Sequence, residues 1–311
     1  MIRLLGDLGG TNARFALSVD GGPPQEERKL PVADHSGVVE AAHTYLAGRA
    51  ADEAVFAVAT PVRGDHIAFT NNNWRFSIRE AEAALALRRL TVINDFVAQA
   101  ASIPALSGGD LRPLKPGEPH PGQPSLVIGP GTGLGVAFIQ PEPGGPRILP
   151  SEGGHISFAP QDALQAEILA SLRAEHGHVS AERLVSGPGL LALGRFLVAK
   201  RGSAFRCDRP EDVARGAEQG DAACAEAVRL FCSILGATAG SLALALLTGG
   251  GVYVMGGLCR NLGPLLDPAA LLDGFHAKGR FETVLRPIPV IQVVRPHTGL
   301  VGAAAFRTGL T

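Results

Sequence analysis

Two stretches of this 311-residue chain share one layout. Leu4-Leu5 runs into Gly6-Asp7-Leu8-Gly9-Gly10-Thr11-Asn12 and is followed by Phe15-Ala16-Leu17. Val127-Ile128 runs into Gly129-Pro130-Gly131-Thr132-Gly133-Leu134-Gly135 and is followed by Val136-Ala137-Phe138. In each case a β-prone apolar run, a turn of glycine and threonine, and a second apolar run follow one another, as in a hairpin. A chain whose halves both open this way is expected to form two related domains, with the hairpin tips facing each other across a cleft.

Consecutive glycines let main-chain N–H groups converge on an anion with no Cβ in the way, and a threonine hydroxyl adds a donor. That chemistry favours phosphate. Glycine supplies 40 of the 311 residues, well above the usual share of about 7%. The chain has no Gly-x-x-x-x-Gly-Lys-[Ser/Thr], so a P-loop is excluded. Gly131-x-Gly133-x-Gly135 is not the dinucleotide fingerprint, and a strand rather than a helix follows it. Asp7, read as part of the first turn, would repel bound phosphates unless a cation intervened. Mg²⁺ held largely through water resolves that conflict; an Asx-turn is the plainer alternative.

The remaining pattern is α/β. Strands are expected at Ile2 to Leu5, Phe15 to Val19, Ala54 to Ala59, Leu90 to Ile93, Ser125 to Ile128, Val136 to Ile139, Val252 to Met255 and Val290 to Val294. Helices are expected over Val38 to Gly48, Ile78 to Leu87, Val97 to Ala101, Asp162 to Glu175, Ala223 to Leu247 and Gly299 to Arg307. Residues 107–125 are rich in Pro and Gly and read as a linker, which places a domain boundary near residue 110. From Leu230 to Cys259 no residue is charged, yet Gly249-Gly250-Gly251 interrupts the run. A buried helix, a turn and a buried strand explain it better than a membrane span.

The 28 Lys+Arg nearly balance the 29 Asp+Glu, for a net charge of −1, which argues against nucleic acid or an anionic membrane as a partner. With 46% hydrophobic and 18% charged residues, a disordered chain is excluded. Cys207, Cys224, Cys232 and Cys259 show no metal or redox spacing and read as buried reduced thiols of the cytosol. No secretory signal is expected at Met1-Ile2-Arg3-Leu4-Leu5.

Five polar residues stand out, at three places in the chain. Asn94-Asp95 follows a strand directly, where a sheet's carboxyl end faces a crevice, and Asp95 there can accept a proton from a substrate hydroxyl; a strand-ending turn is the alternative. Glu152-Gly153-Gly154-His155 sets a carboxylate and an imidazole around two glycines. Glu182 is either a ligand or a solvated helix charge. Asn, Asp, Glu and His can each pair with sugar hydroxyls, which donate and accept at once. A phosphate cradle beside such a set implies phosphoryl transfer to a sugar.

The chain resembles the bacterial glucokinase family of the hexokinase–actin–heat-shock ATPase superfamily. The motifs carrying the resemblance are Gly6 to Arg14, Thr70-Asn71-Asn72-Asn73-Trp74, Ile93-Asn94-Asp95-Phe96, Gly129 to Gly135, Glu152 to His155 with Phe158-Ala159-Pro160, and His178 to Arg183 with Ser186-Gly187-Pro188-Gly189. The resemblance implies a two-domain actin-like ATPase (ribonuclease H-like) fold with the active site in the interdomain cleft. The small domain would comprise residues 1–109 and 298–311, and the large domain residues 110–297. Glucose would be held by Asn94, Asp95, Glu152, His155 and Glu182, with Asp95 as the base at an ordinary carboxyl pKa near 3.9. ATP would be held by Gly6, Asp7, Gly9, Gly10, Thr11, Asn12, Gly131, Thr132 and Gly133, with Gly256 and Gly257 lining the adenosine pocket and Asp7 serving Mg²⁺. The resemblance also implies a cytosolic homodimer whose glucose 6-phosphate feeds glycolysis. Related sugar kinases of the ROK type carry a Cys-rich zinc motif after the equivalent histidine; here Ile156-Ser157-Phe158-Ala159-Pro160 follows His155, and structural zinc is not expected. Rival readings are a kinase of another hexose, a polyphosphate-using glucokinase, a sugar-responsive transcription regulator and an inactive sugar-binding module. A regulator would place a DNA-reading motif ahead of Gly6, and an inactive module would not need Asp95 with both hairpins.

Overall fold

In the computed structural model, which describes residues 1–69 and 72–307, the first hairpin forms where the glycines place it. Strands β1 (Ile2–Leu8) and β2 (Asn12–Val19) pair antiparallel, with Asp7 opposite Arg14 and Leu8 opposite Ala13. The turn is therefore confined to residues 9–11, and Asp7 lies in the strand, not in the turn as its sequence neighbours suggested. Strand β3 (Gln25–Pro31) pairs with β2, and helix α1 (Val38–Leu46) leads to β4 (Glu53–Val58), parallel to β1. A small hairpin of β5 (His66–Ala68) and β6 (Arg75–Ser77) precedes helix α2 (Ile78–Ala84), which Ser77 caps by accepting from the Glu80 N–H. Strand β7 (Arg89–Asn94) then lies parallel to β4 and passes straight into α3 (Asp95–Ser102). The first sheet has the order β3-β2-β1-β4-β7.

The second sheet repeats that plan. Strand β8 (Leu111–Lys115) occupies part of the stretch read as linker, because its main chain pairs with a sheet edge that its sequence does not announce. Strands β9 (Ser125–Pro130) and β10 (Leu134–Gln140) form the second hairpin, and β11 (Arg147–Ser151) extends it. Helices α4 (Ala163–His176), α5 (Gly187–Arg201), α6 (Pro210–Glu218) and α7 (Ala222–Leu246) come next. Strand β12 (Gly251–Val254) is followed by α8 (Gly257–Leu262), α9 (Pro268–His276), α10 (Glu282–Leu285) and β13 (Val290–Val293), with α11 (Thr298–Ala305) last. The sheet order is β11-β10-β9-β12-β13-β8, with β12 parallel to β9 and to β13. Hairpin, edge strand and two parallel neighbours thus recur in the same spatial order in both sheets.

The chain divides into two compact units. One comprises residues 1–108, 144–150 and the segment from Arg295; the other comprises residues 109–143 and 151–294. In the first, Phe15 meets Phe56 edge-on with centroids 6.0 Å apart and stacks on Tyr45 at 5.6 Å, all three buried. Full burial of such side chains contributes on the order of 2 kcal/mol each. Helix α11 packs against α3 so closely that a Cβ on Gly302 would fall 1.6 Å from the Ala98 carbonyl oxygen.

In the second unit α7 accounts for most of the uncharged stretch. Asp221 caps it, accepting from the Cys224 N–H at 2.8 Å. Its length and apolarity would suffice to cross a membrane, but most of its residues are buried inside the protein. Gly236 on α7 and Gly274 on α9 let the two backbones touch, since a Cβ at either would fall within 2.0 Å of a carbonyl oxygen of the other helix. The four cysteines are buried free thiols, with Cys207 Sγ 3.9 Å from Cys224 Sγ.

Candidate active site

The residues picked out from sequence fall into two sets, one in each unit. In the first unit, the parallel strands β1, β4 and β7 end level with one another, with Leu8 beside Val58 and Val58 beside Asn94. This brings Asp7 and Asp95 to the carboxyl edge of the sheet, the side on which open α/β sheets bind ligands. Asn94 terminates β7 and caps α3: its Oδ1 accepts from the Phe96 N–H at 2.9 Å and its Nδ2 donates to Thr60 O at 3.3 Å. Among the described residues the second Nδ2 hydrogen has no partner and could be donated to a ligand.

Burial, and next the Asp7 carboxylate, push the Asp95 carboxyl up to about 6, against the pull of the Phe96 and Asp95 N–H groups. This corrects the ordinary pKa expected from sequence, because a charge taken out of water beside a like charge resists ionisation. Asp7 is itself raised by burial, with Arg14 and His297 pulling the other way. Arg14 Nη1 lies 4.0 Å from Asp7 Oδ2, and Arg14 Nε lies 3.9 Å from Glu27 Oε1. Gly299, at the start of α11, has no room for a side chain, since a Cβ there would meet the Asp7 carboxylate at 2.9–3.1 Å.

The first turn holds its own shape in part. Gly9 N–H donates to Asn12 O at 3.0 Å and Val32 N–H donates to Thr11 O at 2.9 Å. Thr11 is exposed at the tip. Gly6 sits inside β1, where a Cβ would come within 2.7 Å of the Phe56 ring. Its bare backbone answers to packing beneath the sheet.

In the second unit, Glu152, His155 and Glu182 do meet. Glu152 precedes a single 3₁₀ turn, Gly153–His155, and Glu182 lies in another, Ala181–Arg183, rather than on a solvated helix. His155 Nε2 is 3.8 Å from Glu152 Oε2 and its Nδ1 is 3.9 Å from Glu182 Oε1. Two glycines let the first of these turns press onto β10: a Cβ on Gly154 would fall 2.2 Å from Leu134 O. Ala181 N–H donates to Ile156 O at 2.8 Å, tying the two turns together. Glu182 Oε2 accepts from the Leu134 N–H at 2.8 Å, directly after the second glycine turn.

That turn is braced by Gly131 N–H donating to Gly133 O and by Gly187 N–H donating to Gly131 O, both at 2.8 Å. Thr132 is exposed at its tip. Gly256, with φ +99°, sits against it, since a Cβ would lie 2.5 Å from Pro130 O; Gly257 then opens α8.

Residues missed from sequence as site members are Arg14, Asn72, His297 and Gly299. Spacing offered a signal for Arg14, because a hairpin centred between Gly10 and Thr11 pairs residue 7 with residue 14. Asn72 donates through Nδ2 to Gly9 O and Gly10 O, both at 3.3 Å. Thr70 and Asn71 of the same motif lie outside the described residues.

A family model described as Glucokinase matches residues 4–309. A glucokinase of Aromatoleum aromaticum is 42% identical over 308 residues, covering 97% of this chain and 93% of its own. A glucokinase crystal structure from an Antarctic psychrotroph superposes with a TM-score of 0.87 at 33% identity, covering 98% of both chains. A ROK-family glucokinase of Streptomyces griseus, in complex with glucose and AMPPNP, shares the fold with a TM-score of 0.63 at 20% identity, covering 98% of both chains.

Proposed function

The chain belongs to the glucokinase family, with its actin-like ATPase fold, and from that premise we propose that it transfers the γ-phosphoryl group of ATP to glucose with Asp95 as general base. The observation that carries this reading is the pair of carboxyl groups at the carboxyl edge of a parallel sheet, where the Asp7 charge adds to burial in raising Asp95. Beside them stands a glycine turn whose carbonyls are engaged by the protein.

In-line attack on the γ-phosphorus requires the sugar hydroxyl to lose its proton as the new bond forms. Asp95, raised to about 6, is ionised at neutral pH and still a stronger proton acceptor than an ordinary carboxylate. A base whose pKa nears the working pH combines the right protonation state with driving force. Asn94 with its remaining Nδ2 hydrogen, together with Glu152, His155 and Glu182, reads the other hydroxyls. The N–H groups of the two glycine turns cradle phosphate oxygens.

Among the described residues no group of three or more His, Cys, Asp or Glu forms a metal cage. Mg²⁺ does not ask for one, since it takes one or two carboxylates, keeps several waters and shares phosphate oxygens. Asp7 fits that role, and the ion would neutralise charge on the phosphates there. The cytosol, entry of the product into glycolysis and a homodimer complete this reading, each supported by the family resemblance.

A coupled assay over a hexose panel with ATP, ADP and polyphosphate as donors tests it. Glucose with ATP is expected to give the highest kcat/KM, and preference for another hexose or donor overturns the assignment. Asp95→Asn should lower kcat by roughly 10²–10⁴ while glucose still binds. A variant retaining more than about a tenth of kcat, well outside that range, would reduce Asp95 to a positioning group.

A further inference from the structure

The turn between β1 and β2 contains two adjacent glycines, the residues with the most backbone freedom to lose. Two of its carbonyls are held from outside the hairpin. Asn72, at the tip between β5 and β6, donates through Nδ2 to Gly9 O and to Gly10 O, both at 3.3 Å. The orientation of its amide is fixed independently, because Oδ1 accepts from the Trp74 N–H at 2.8 Å. Trp74 in turn is buried, and its Nε1 donates to His35 O at 3.1 Å. Phe69 N–H donates to Trp74 O at 3.1 Å, closing the tip. The clamp is therefore anchored in the core of the first unit.

In a trans peptide the C=O and the following N–H point in opposite directions. Holding Gly9 O and Gly10 O on one amide therefore turns the N–H groups of Gly10 and Thr11 together to the other side. Among the described residues neither of these N–H groups has a hydrogen-bond partner, whereas the Gly9 N–H is spent on Asn12 O. We propose that Asn72 is a positioning residue for the phosphoryl donor: it fixes the Gly9 and Gly10 peptide planes so that two convergent main-chain donors await a nucleotide phosphate before it arrives. The ordering cost of the glycines is then met in folding instead of at binding. This rests on reading the turn as a phosphate site.

Asn72→Ala in the full chain tests the clamp, with thermal melting and steady-state kinetics as readouts. Loss of two hydrogen bonds is expected to raise KM for ATP by about tenfold or more. The KM for glucose should stay near its wild-type value, kcat should change less than the KM for ATP, and inhibition by adenosine, which has no phosphate, should be unaltered. Trp74→Phe removes the bond to His35 while leaving the Asn72 amide in place, and it should not reproduce the selective rise. If Asn72→Ala fails to fold, Asn72→Asp, which keeps an acceptor for the Trp74 N–H but loses both donors, takes its place with the same expectation.

An unchanged KM for ATP overturns the proposal. So does a parallel rise for ATP, glucose and adenosine with a lowered melting temperature. Gly10→Val separates the two levels: if it raises the KM for ATP and Asn72→Ala does not, only the clamp falls. If neither does, the phosphate reading of the turn falls with it.

Discussion

Replacing the proposed base by its amide should make the ligand-free protein more stable, and only above a definite pH. Asp95 titrates at about 6 in the folded chain against 3.8 when unperturbed. Its ionised form is thus disfavoured by about 3 kcal/mol, at roughly 1.4 kcal/mol per pH unit. Because the folded pKa is the higher one, the native state binds more protons than the unfolded state between these values. Stability then falls as pH rises through that window. Below 3.8 both states are protonated and nothing is lost; above about 6 the full cost is present.

The neutral amide mimics the protonated carboxyl, so Asp95→Asn should gain up to about 3 kcal/mol at pH 8 and almost nothing at pH 4. Urea denaturation read by tryptophan fluorescence suits the purpose, since the single tryptophan, Trp74, is buried in the same unit as Asp95. Equal stability of the two proteins at pH 8, or a gain that persists undiminished at pH 4, would refute the assignment of strain to the Asp95 charge.

The same carboxyl should place an acid limb near pH 6 on kcat/KM for glucose, with a tenfold loss per pH unit below it; a profile flat down to pH 5 contradicts this. Gly133→Ala would put a Cβ 2.4 Å from Glu182 Oε2, displacing the carboxylate from the Leu134 N–H, and should raise the KM for glucose. Gly131→Ala, where the protein leaves open space, should spare thermal stability and raise the KM for ATP instead; an identical kinetic signature from the two would dissolve the distinction. Gly302→Ala drives a Cβ into the Ala98 carbonyl and should cost at least about 1–3 kcal/mol, as overpacking does, measured by urea unfolding at constant pH.

Elements with a buried apolar run were legible in the sequence: β1, β2, β4, β7, β9, β10, β12 and β13 all lie where such runs occur. Strand β3 was not, because Gln25 to Lys29 are exposed and only Leu30 is buried along it; an edge strand is held by main-chain pairing that leaves no apolar pattern. Strand β8 escaped for the same reason, flanked by Pro and Gly. Helix α5 begins at Gly187-Pro188-Gly189, residues that discourage a helix, yet Ser186 caps it by accepting from the Gly189 N–H at 3.1 Å. In the site, residue types and their grouping along the chain could be read off directly. The raised pKa of Asp95 could not, since it depends first on burial and then on the parallel alignment of β1, β4 and β7 that brings a second carboxylate near.

Glycine is where the sequence carries least of its own meaning. The two hairpins look alike as strings, but the glycines in and beside them answer to different neighbours. Gly6 is bare because the Phe56 ring occupies the place of its Cβ, Gly133 because the Glu182 carboxylate does, and Gly256 because Pro130 O does. Each of these would be demanded by packing even if no nucleotide ever bound. At Gly131 nothing lies within 4 Å of where a Cβ would be, so the protein itself asks for no glycine there. What the missing side chain keeps clear at Gly131 is approach from outside. In the second turn, accordingly, the case for phosphate rests on Gly131 and its neighbouring N–H groups rather than on the number of glycines in the string. Gly133 makes room for the Glu182 carboxylate, so on the proposed reading one turn would serve both the phosphate and the sugar within three residues.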